Sequence, residues 1–381
     1  MNRHETDLRK YWFSMIQEPS YPRKQMLVML SGGIDALYEM SEHDIRKLFS
    51  DRMSEPVLSD MISSRSKDML EEKVGKLEEA GISMLYPELP EYPVKLKNIA
   101  DPPFVLFTRG SLDLSKAVDN PSIAIVGARK ADTYGSEMSR FFAKELSIAG
   151  ITVISGLAAG IDGKAHEGCL SAGGNTIAVL GCGIDIPYPR SNSPLYFDIA
   201  EKGLIISEFP PGTAPLAWRF PVRNRIISGL SDGVLVIEAR EKSGSLITAD
   251  LGLEQGKTIF ALPGRAYDTN AAGTNNLIKQ GAICVTEPED IIRELKQDIT
   301  FSREEDTQSK DSDISGLSQD ELKLFLMLNL DPIYIDELIS RSGFDITRTI
   351  STLYSLEKKG YVIQPRQGWY ITGDFTKGVS Y

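Results

Sequence analysis

The sequence has no apolar run long enough to cross a bilayer, only three cysteines and three histidines in 381 residues, and no surplus of positive charge. The first absence excludes a helical membrane span. The polar start MNRHETDLRK lacks the apolar stretch of a secretory leader, so a cytoplasmic protein with no membrane partner is expected. Cys169, Cys182 and Cys284 lie far apart, are odd in number and form no CxxC pair. That argues against a disulfide framework or zinc cluster and leaves them as small core residues; no metal and no cofactor are expected. The formal net charge of −11 works against the basic footprint of most nucleic-acid-binding chains. Totals hide distribution, however: much of the acid lies between Thr286 and Asp313, whereas arginines and lysines gather at loop positions in the middle of the chain.

What is present is enough apolar residue, 41%, for two or three domains, each with its own core. Residues 1–90 read as helical. Within them QMLVMLSGGIDALYEM forms two helical segments around a Ser-Gly-Gly turn, similar to a helix-hairpin-helix or sterile-alpha-motif module; a lone, irregular copy is read as a packing unit. Residues 91–299 differ. The short apolar runs SIAIVG, GITVISG, TIAVLG, LIISEF, GVLVIE, KTIFALPG and AICVTE alternate with segments of helical period. That pattern predicts an α/β fold with a doubly wound, mainly parallel sheet, in which ligands bind at the carboxyl ends of the strands. Residues 300–316 read as a flexible linker. Residues 317–373 give three helices and a hairpin, the order of a winged helix. In its third helix Ile346, Ile350, Leu353 and Leu356 are assigned to the inner face, and Thr347, Arg348, Ser351 and Ser355 to a cation-poor outer face better suited to protein contacts than to reading DNA.

The turns after the strands carry the candidate chemistry. In IAIVGARKADTYG, Gly127 closes a strand while Arg129 and Lys130 precede a helix whose unpaired N–H groups suit an anion. The turn lacks the GxGxxG of a dinucleotide site. In VISGLAAGIDGKAHEG, Ser155, Gly156 and Gly160 let backbone approach a bound group, and Lys164 opens the next helix. His166 has no catalytic companion at a recognisable spacing and reads as a hydrogen-bonded scaffold residue. In FPVRNR, Arg219, Arg223 and Arg225 surround Phe220 and Asn224, a composition suited to phosphates and stacked bases, although at least one arginine is expected to pair with an acid such as Glu208 or Asp232. Lys242, Ser243, Gly244 and Ser245 form a further anion cradle. A row of such turns suits a polyanion better than one nucleotide.

Taken in order, SGLAAGIDGKAH, TIAVLGCGIDIPYP, FPVRNRIISGLS and SGSLITA closely resemble the DprA/Smf family of DNA-processing proteins, and the resemblance spans nearly the whole chain. It implies a Rossmann-like core holding single-stranded DNA, a homodimer, no catalytic residues, and delivery of RecA recombinase onto incoming DNA during natural transformation. It places phosphate contacts at Arg129, the Ser155–Gly156 turn and Lys164, to which the FPVRNR arginines and the KSGS turn are added. The alternative is a nucleotide-binding enzyme resembling phosphoribohydrolases, with Glu208 or Glu238 as the acid. Its PGGxGTxxE run is absent, with only faint echoes in PPGTAP and AAGTNN. A purely structural hub has no sequence feature in its favour.

Overall fold

The seven apolar runs become seven parallel strands in the computed structural model, which describes residues 3–16, 21–295, 317–328 and 332–372. They are β3 (Ser122–Val126), β4 (Thr152–Ser155), β5 (Thr176–Leu180), β6 (Leu204–Ser207), β7 (Gly233–Val236), β8 (Thr258–Ala261) and β9 (Ile283–Cys284). Two short strands that the run pattern missed, β1 (Ser83–Leu85) and β2 (Leu106–Gly110), add antiparallel at one side. The order is β1-β2-β6-β5-β4-β3-β7-β8-β9, so the chain winds outward from β3 to β6 and returns to β3's other flank with β7. This is the doubly wound, Rossmann-like fold that the alternation implied, and its switch point lies beside β3.

Each connection between parallel strands is helical: α9 (Thr133–Ile148), α10 (Ile161–Ser171), α11 (Ser193–Lys202), α12 (Arg219–Leu230), α13 (Gly244–Glu254) and α14 (Ala272–Lys279), with α15 (Pro288–Leu295) after β9. Helices on both faces explain why every residue of β3 to β7 is buried. The two-residue period then sorts side chains between two cores. Ala178, Leu180 and Ile205 join one; Ile177, Val179, Leu204 and Ile206 join the other.

The N-terminal helices are α1 (Arg3–Met15), α2 (Tyr21–Ser31), α3 (Ile34–Glu39), α4 (Glu42–Phe49), α5 (Glu55–Ser63) and α6 (Lys67–Glu79); the short α7 (Val94–Lys97) and α8 (Leu114–Asp119) flank β2. The Ser-Gly-Gly turn separates α2 from α3, with Gly32 and Gly33 at φ 83° and 129°. Trp12, Phe13, Leu37, Phe49 and Leu58 from this module share one continuous core with Phe107, Leu180 and Tyr196 of the sheet layer. The module therefore belongs to the same compact unit as the sheet, Met1–Ala131 with Gly135–Gln297.

The second unit comprises Asp132–Tyr134 and Asp298–Tyr381. Residues 300–316, the expected linker, lie outside the described residues, as do 373–381. Helices α16 (Gln319–Phe325), α17 (Ile335–Ser342) and α18 (Ile346–Lys358) accompany an antiparallel sheet ordered β10-β12-β11, with β10 Ile333–Tyr334, β11 Val362–Arg366 and β12 Trp369–Thr372. One assignment in α18 is corrected. Leu353 and Leu356 are buried with Thr349 and Thr352, but Ile346, Ile350 and Tyr354 are 62%, 48% and 58% exposed, an i, i+4, i+8 stripe of their own. The two threonines tolerate the core because their hydroxyls donate to the Asp345 and Arg348 carbonyls. Arg348 on the outer face is held by both carboxylate oxygens of Asp320.

Candidate nucleic-acid interface

At the switch point, the turns that leave β3 and β7 flank a pocket of about 370 Å³. The β3 turn brings Gly127, Arg129 and Lys130; the β7 turn brings Arg240 and Lys242 to Ser245; α12 supplies Phe220, Arg223 and Asn224. Ser243 caps α13, its side chain accepting the Ser245 N–H, so the helix start faces the pocket with its remaining amides. Five cations line this pocket, Arg129, Lys130, Arg223, Arg240 and Lys242, against the single carboxylate of Asp162. Local charge is therefore opposite in sign to that of the whole chain.

Asp162 is already committed. Its carboxylate accepts the Gly156 and Ala158 N–H groups at 3.1 and 3.4 Å, fixing the turn after β4. Burial raises its pKa while the Arg223 charge opposes that rise. The helix that follows starts from Gly160, at φ 78°, where a Cβ would collide with the Ala128 carbonyl.

Arg223 is the central cation. It is 4% exposed, and its Nη1 donates to the carbonyls of Gly156, at 2.9 Å, and of Val179. Its Nε reaches the Asn224 side chain at 3.2 Å, and among the described residues it has no carboxylate at ion-pair distance. Burial brings the guanidinium pKa down to about 10, so it remains charged at neutral pH. Gly156 must lack a side chain here, since a Cβ would stand 2.5 Å from Arg223 Nη2.

A second cavity, about 170 Å³, adjoins the first through Arg129, Ala158, Phe220 and Arg223, and continues to Gly156, Gly181, Cys182 and Tyr188. Tyr188 and Phe220 are stacked, with centroids 5.5 Å apart and planes at 29°. The Arg129 guanidinium lies 5.3 Å from the Phe220 centroid, and that of Arg223 6.0 Å. Exposed cations, helix-start amides and aromatic faces thus meet in adjoining spaces. Such a combination holds phosphates electrostatically and bases by stacking.

Most of the residues singled out in the sequence converge here: Gly127, Arg129, Lys130, Phe220, Arg223, Asn224, Lys242, Ser243, Gly244 and Ser245 in the larger pocket, Gly156 in the smaller. Five do not line either pocket. The Ser155 hydroxyl is buried and donates to the Ile125 carbonyl at 2.6 Å; Gly160 packs under Ala128; Lys164 is paired with Glu167 at 2.9 Å. Arg219 turns to Phe209 and Trp218, and Arg225 makes a two-pronged bond to Glu208, both contacts at 2.7 Å, with Asp101 at 2.9 Å. Three arginines could not surround one phenylalanine, because a helix turns about 100° per residue and sends positions 219, 220 and 225 to different sides. The expected acid partner of an arginine is thus Glu208; Asp232 instead pairs with Lys95.

Arg240, Asp162 and Tyr188 were not anticipated. Arg240 stands two residues before Lys242 in the same turn, so the signal was there but the cradle was started too late. Tyr188 precedes a proline in IPYP, and its partner Phe220 is distant in sequence.

His166 is fully buried, with Nδ1 2.7 Å from the Thr176 hydroxyl and Nε2 unpartnered, and burial drags its pKa down to about 3. It is neutral and out of reach of any ligand. Of the two acids named for the enzymatic alternative, Glu208 is occupied by Arg225 and Glu238 is buried, and neither lines either cavity. Among the described residues no group of three His, Cys, Asp or Glu side chains could hold a metal ion, and no helix is long and apolar enough to cross a membrane.

The sequence model of the family described as DNA recombination-mediator protein A matches residues 83–296, which includes every residue lining the two pockets. The chain belongs to this family. It is 45% identical over 219 residues to DNA processing protein DprA of Bacillus subtilis, covering 58% of this chain and 73% of that one. The crystal structure of DprA from Streptococcus pneumoniae superposes with a TM-score of 0.63 at 32% identity, over 77% of this chain and 98% of that one. A Helicobacter pylori DNA processing protein A, described for its single-stranded DNA binding mode, superposes with a TM-score of 0.52 at 32% identity, over 57% and 97%. Membership makes this chain a DNA-processing recombination mediator.

Proposed function

We propose that the chain binds single-stranded DNA in the two joined pockets and delivers RecA recombinase onto it, acting as a homodimer in the cytoplasm and without catalysis. The observation that carries the DNA reading is the placement of Arg223, a buried cation with no carboxylate at ion-pair distance among the described residues and only the charge of Asp162 in its favour, between a cation-lined pocket and an aromatic cavity. Asp162 and the Gly156 and Val179 carbonyls offset only part of its lost hydration, and an arriving anion offsets more. The Helicobacter pylori relative, described by its single-stranded DNA binding, supports the same substrate. Spaces of about 370 and 170 Å³ admit a phosphate and an unstacked base but not a paired duplex. Phosphate and stacking contacts carry little base information, so binding is independent of sequence.

RecA delivery and the homodimer rest on the family resemblance. We read residues 317–373 as a winged helix joined by a linker over 300–316. The exposed Ile346–Ile350–Tyr354 stripe and the neutralised Arg348 favour a role for it in protein contacts over duplex reading.

The test is titration with single-stranded and duplex oligonucleotides at two salt concentrations. Single strands bind more tightly, and affinity falls steeply with salt as phosphates are neutralised. Equal affinity for duplex, or salt-independent binding, would overturn the proposal.

A further inference from the structure

The PPGTAP run, only an echo of another motif in the sequence, forms one wall of a separate groove of about 500 Å³ between the helical module and the core. Lys24, Lys73 and Arg219 border the groove against one carboxylate, Asp60. Arg219 is the informative member. It is 4% exposed, its Nη1 donates to the Ala214 carbonyl, its Nε has no hydrogen-bond partner, and among the described residues no carboxylate lies at ion-pair distance. Its guanidinium sits 5.3 Å from the Phe209 ring centroid and 4.9 Å from that of Trp218. A buried guanidinium without a counter-ion is unfavourable in the free protein, and an incoming anion relieves it. Trp218 itself is 41% exposed and presents an indole to the groove.

Position decides which anion. The groove lies at the carboxyl end of β6, next in the sheet to β5, whose end lines the smaller aromatic cavity. Arg219 and Phe220 are consecutive, the first lining the groove and the second the cavity. From β7 to β6 the row of strand ends crosses four steps, about 19 Å at the usual strand spacing. A polyanion that leaves the Tyr188–Phe220 pair toward β6 meets Trp218 and Arg219 next.

We propose that this groove is a further subsite for the same single strand, with a phosphate against Arg219 and Lys73 and a base on Trp218. The helical module then takes part in DNA binding instead of only packing against the core. An acidic peptide has matching charge, but continuity with the row of strand-end pockets favours nucleic acid. The inference rests on the strand-binding reading above, and the two can fail separately.

The experiment uses the full chain, Trp218→Ala and Lys73→Glu at positions that are not buried, and Arg129→Ala for comparison. Oligonucleotides of about 4 and about 16 nucleotides bracket the span of one binding module. Trp218→Ala and Lys73→Glu each weaken the long oligonucleotide about tenfold and leave the short one within about twofold, while Arg129→Ala weakens both. Unchanged affinity for the long oligonucleotide in both groove variants overturns the inference while leaving the core site intact, as does an equal loss for short and long. Loss of binding to an acidic peptide with DNA affinity unchanged would assign the groove to a protein partner. If the parent chain binds neither length, the strand-binding reading falls and the inference with it.

Discussion

Arg129 and Arg225 have the same chemistry and both lie in turns or helices beside the switch point, yet the structure assigns them opposite consequences. Arg225 is tied to Glu208 by two hydrogen bonds of 2.7 Å and to Asp101 at 2.9 Å, and is almost wholly buried. Arg225→Ala strands two carboxylates. Breaking a buried pair costs about 3–5 kcal/mol, and because Asp101 is partly exposed and can rehydrate, the lower end applies, about 3 kcal/mol. For a unit of this size that is a fall in Tm of roughly 6–12 °C, with single-strand affinity of the folded fraction unchanged. Arg129 is exposed, and its guanidinium lies over the face of Phe220. Arg129→Ala leaves Tm unchanged but removes a charged hydrogen bond to phosphate, about 1.5–3 kcal/mol, or roughly tenfold to hundredfold in Kd. It also lowers the salt slope by about 1. Thermal melts and fluorescence-anisotropy titrations at two salt concentrations measure Tm, Kd and the salt slope for both variants. If Arg225→Ala melts like the parent and loses DNA, or Arg129→Ala binds DNA normally, the division of α12 and its neighbouring turns into a binding side and a structural side is wrong.

Gly156→Ala places a methyl against Arg223 Nη2, so Arg223 must move; stability drops by about 1–3 kcal/mol, and single-strand affinity drops with it, both read by urea titration and anisotropy. His166, with its pKa held near 3 by burial, gives stability that is present above the unfolded-state pKa and is lost as pH falls below it. Between about pH 6 and pH 4 unfolding free energy falls by up to about 1.4 kcal/mol per pH unit from this group, so His166→Gln shows a shallower acid slope in urea midpoints than the parent; identical slopes would count against a neutral buried imidazole. On α18, Ile350→Ser changes stability by less than about 0.5 kcal/mol, whereas Leu353→Ala costs about 2–5 kcal/mol; denaturation of the full chain followed in the C-terminal unit reverses this order only if the helix faces the other way.

The parallel strands were legible because five of them, β3 to β7, are buried on both faces and so read as unbroken apolar runs. The antiparallel strands β1 and β2 were not, since Ser83–Leu85 is too short to show a period and continues a helical stretch. The site was legible where function falls on turns, as at Arg129, Lys130 and Lys242 to Ser245, because strand ends of a doubly wound sheet must converge. It was not legible within α12, where proximity in sequence suggested one arginine cluster and the helical turn dispersed it. The α18 error has a similar origin: Ile346, Ile350, Leu353 and Leu356 fit one broad apolar stripe, and only the buried Thr349 and Thr352, satisfied by their own helix backbone, show which half faces inward.

The overall charge of −11 is then no obstacle to anion binding, because the pocket carries its own excess of cations. Between Thr286 and Asp313 ten acidic residues against four basic ones carry six of those eleven charges. At physiological ionic strength a charge on the surface is felt over about 8 Å, whereas the five pocket cations act on a ligand in contact with them. Acid elsewhere on the chain therefore slows approach more than it weakens the final contact. Lowering the salt then raises the association rate less than it would for a chain that is basic throughout, while the dissociation rate still tracks the local cations of Arg129, Arg223 and Lys242. Stopped-flow measurement of the two rates separates these effects: an association rate that climbs steeply with falling salt, like that of a uniformly basic protein, would mean that the pocket's field reaches well past the surrounding acid.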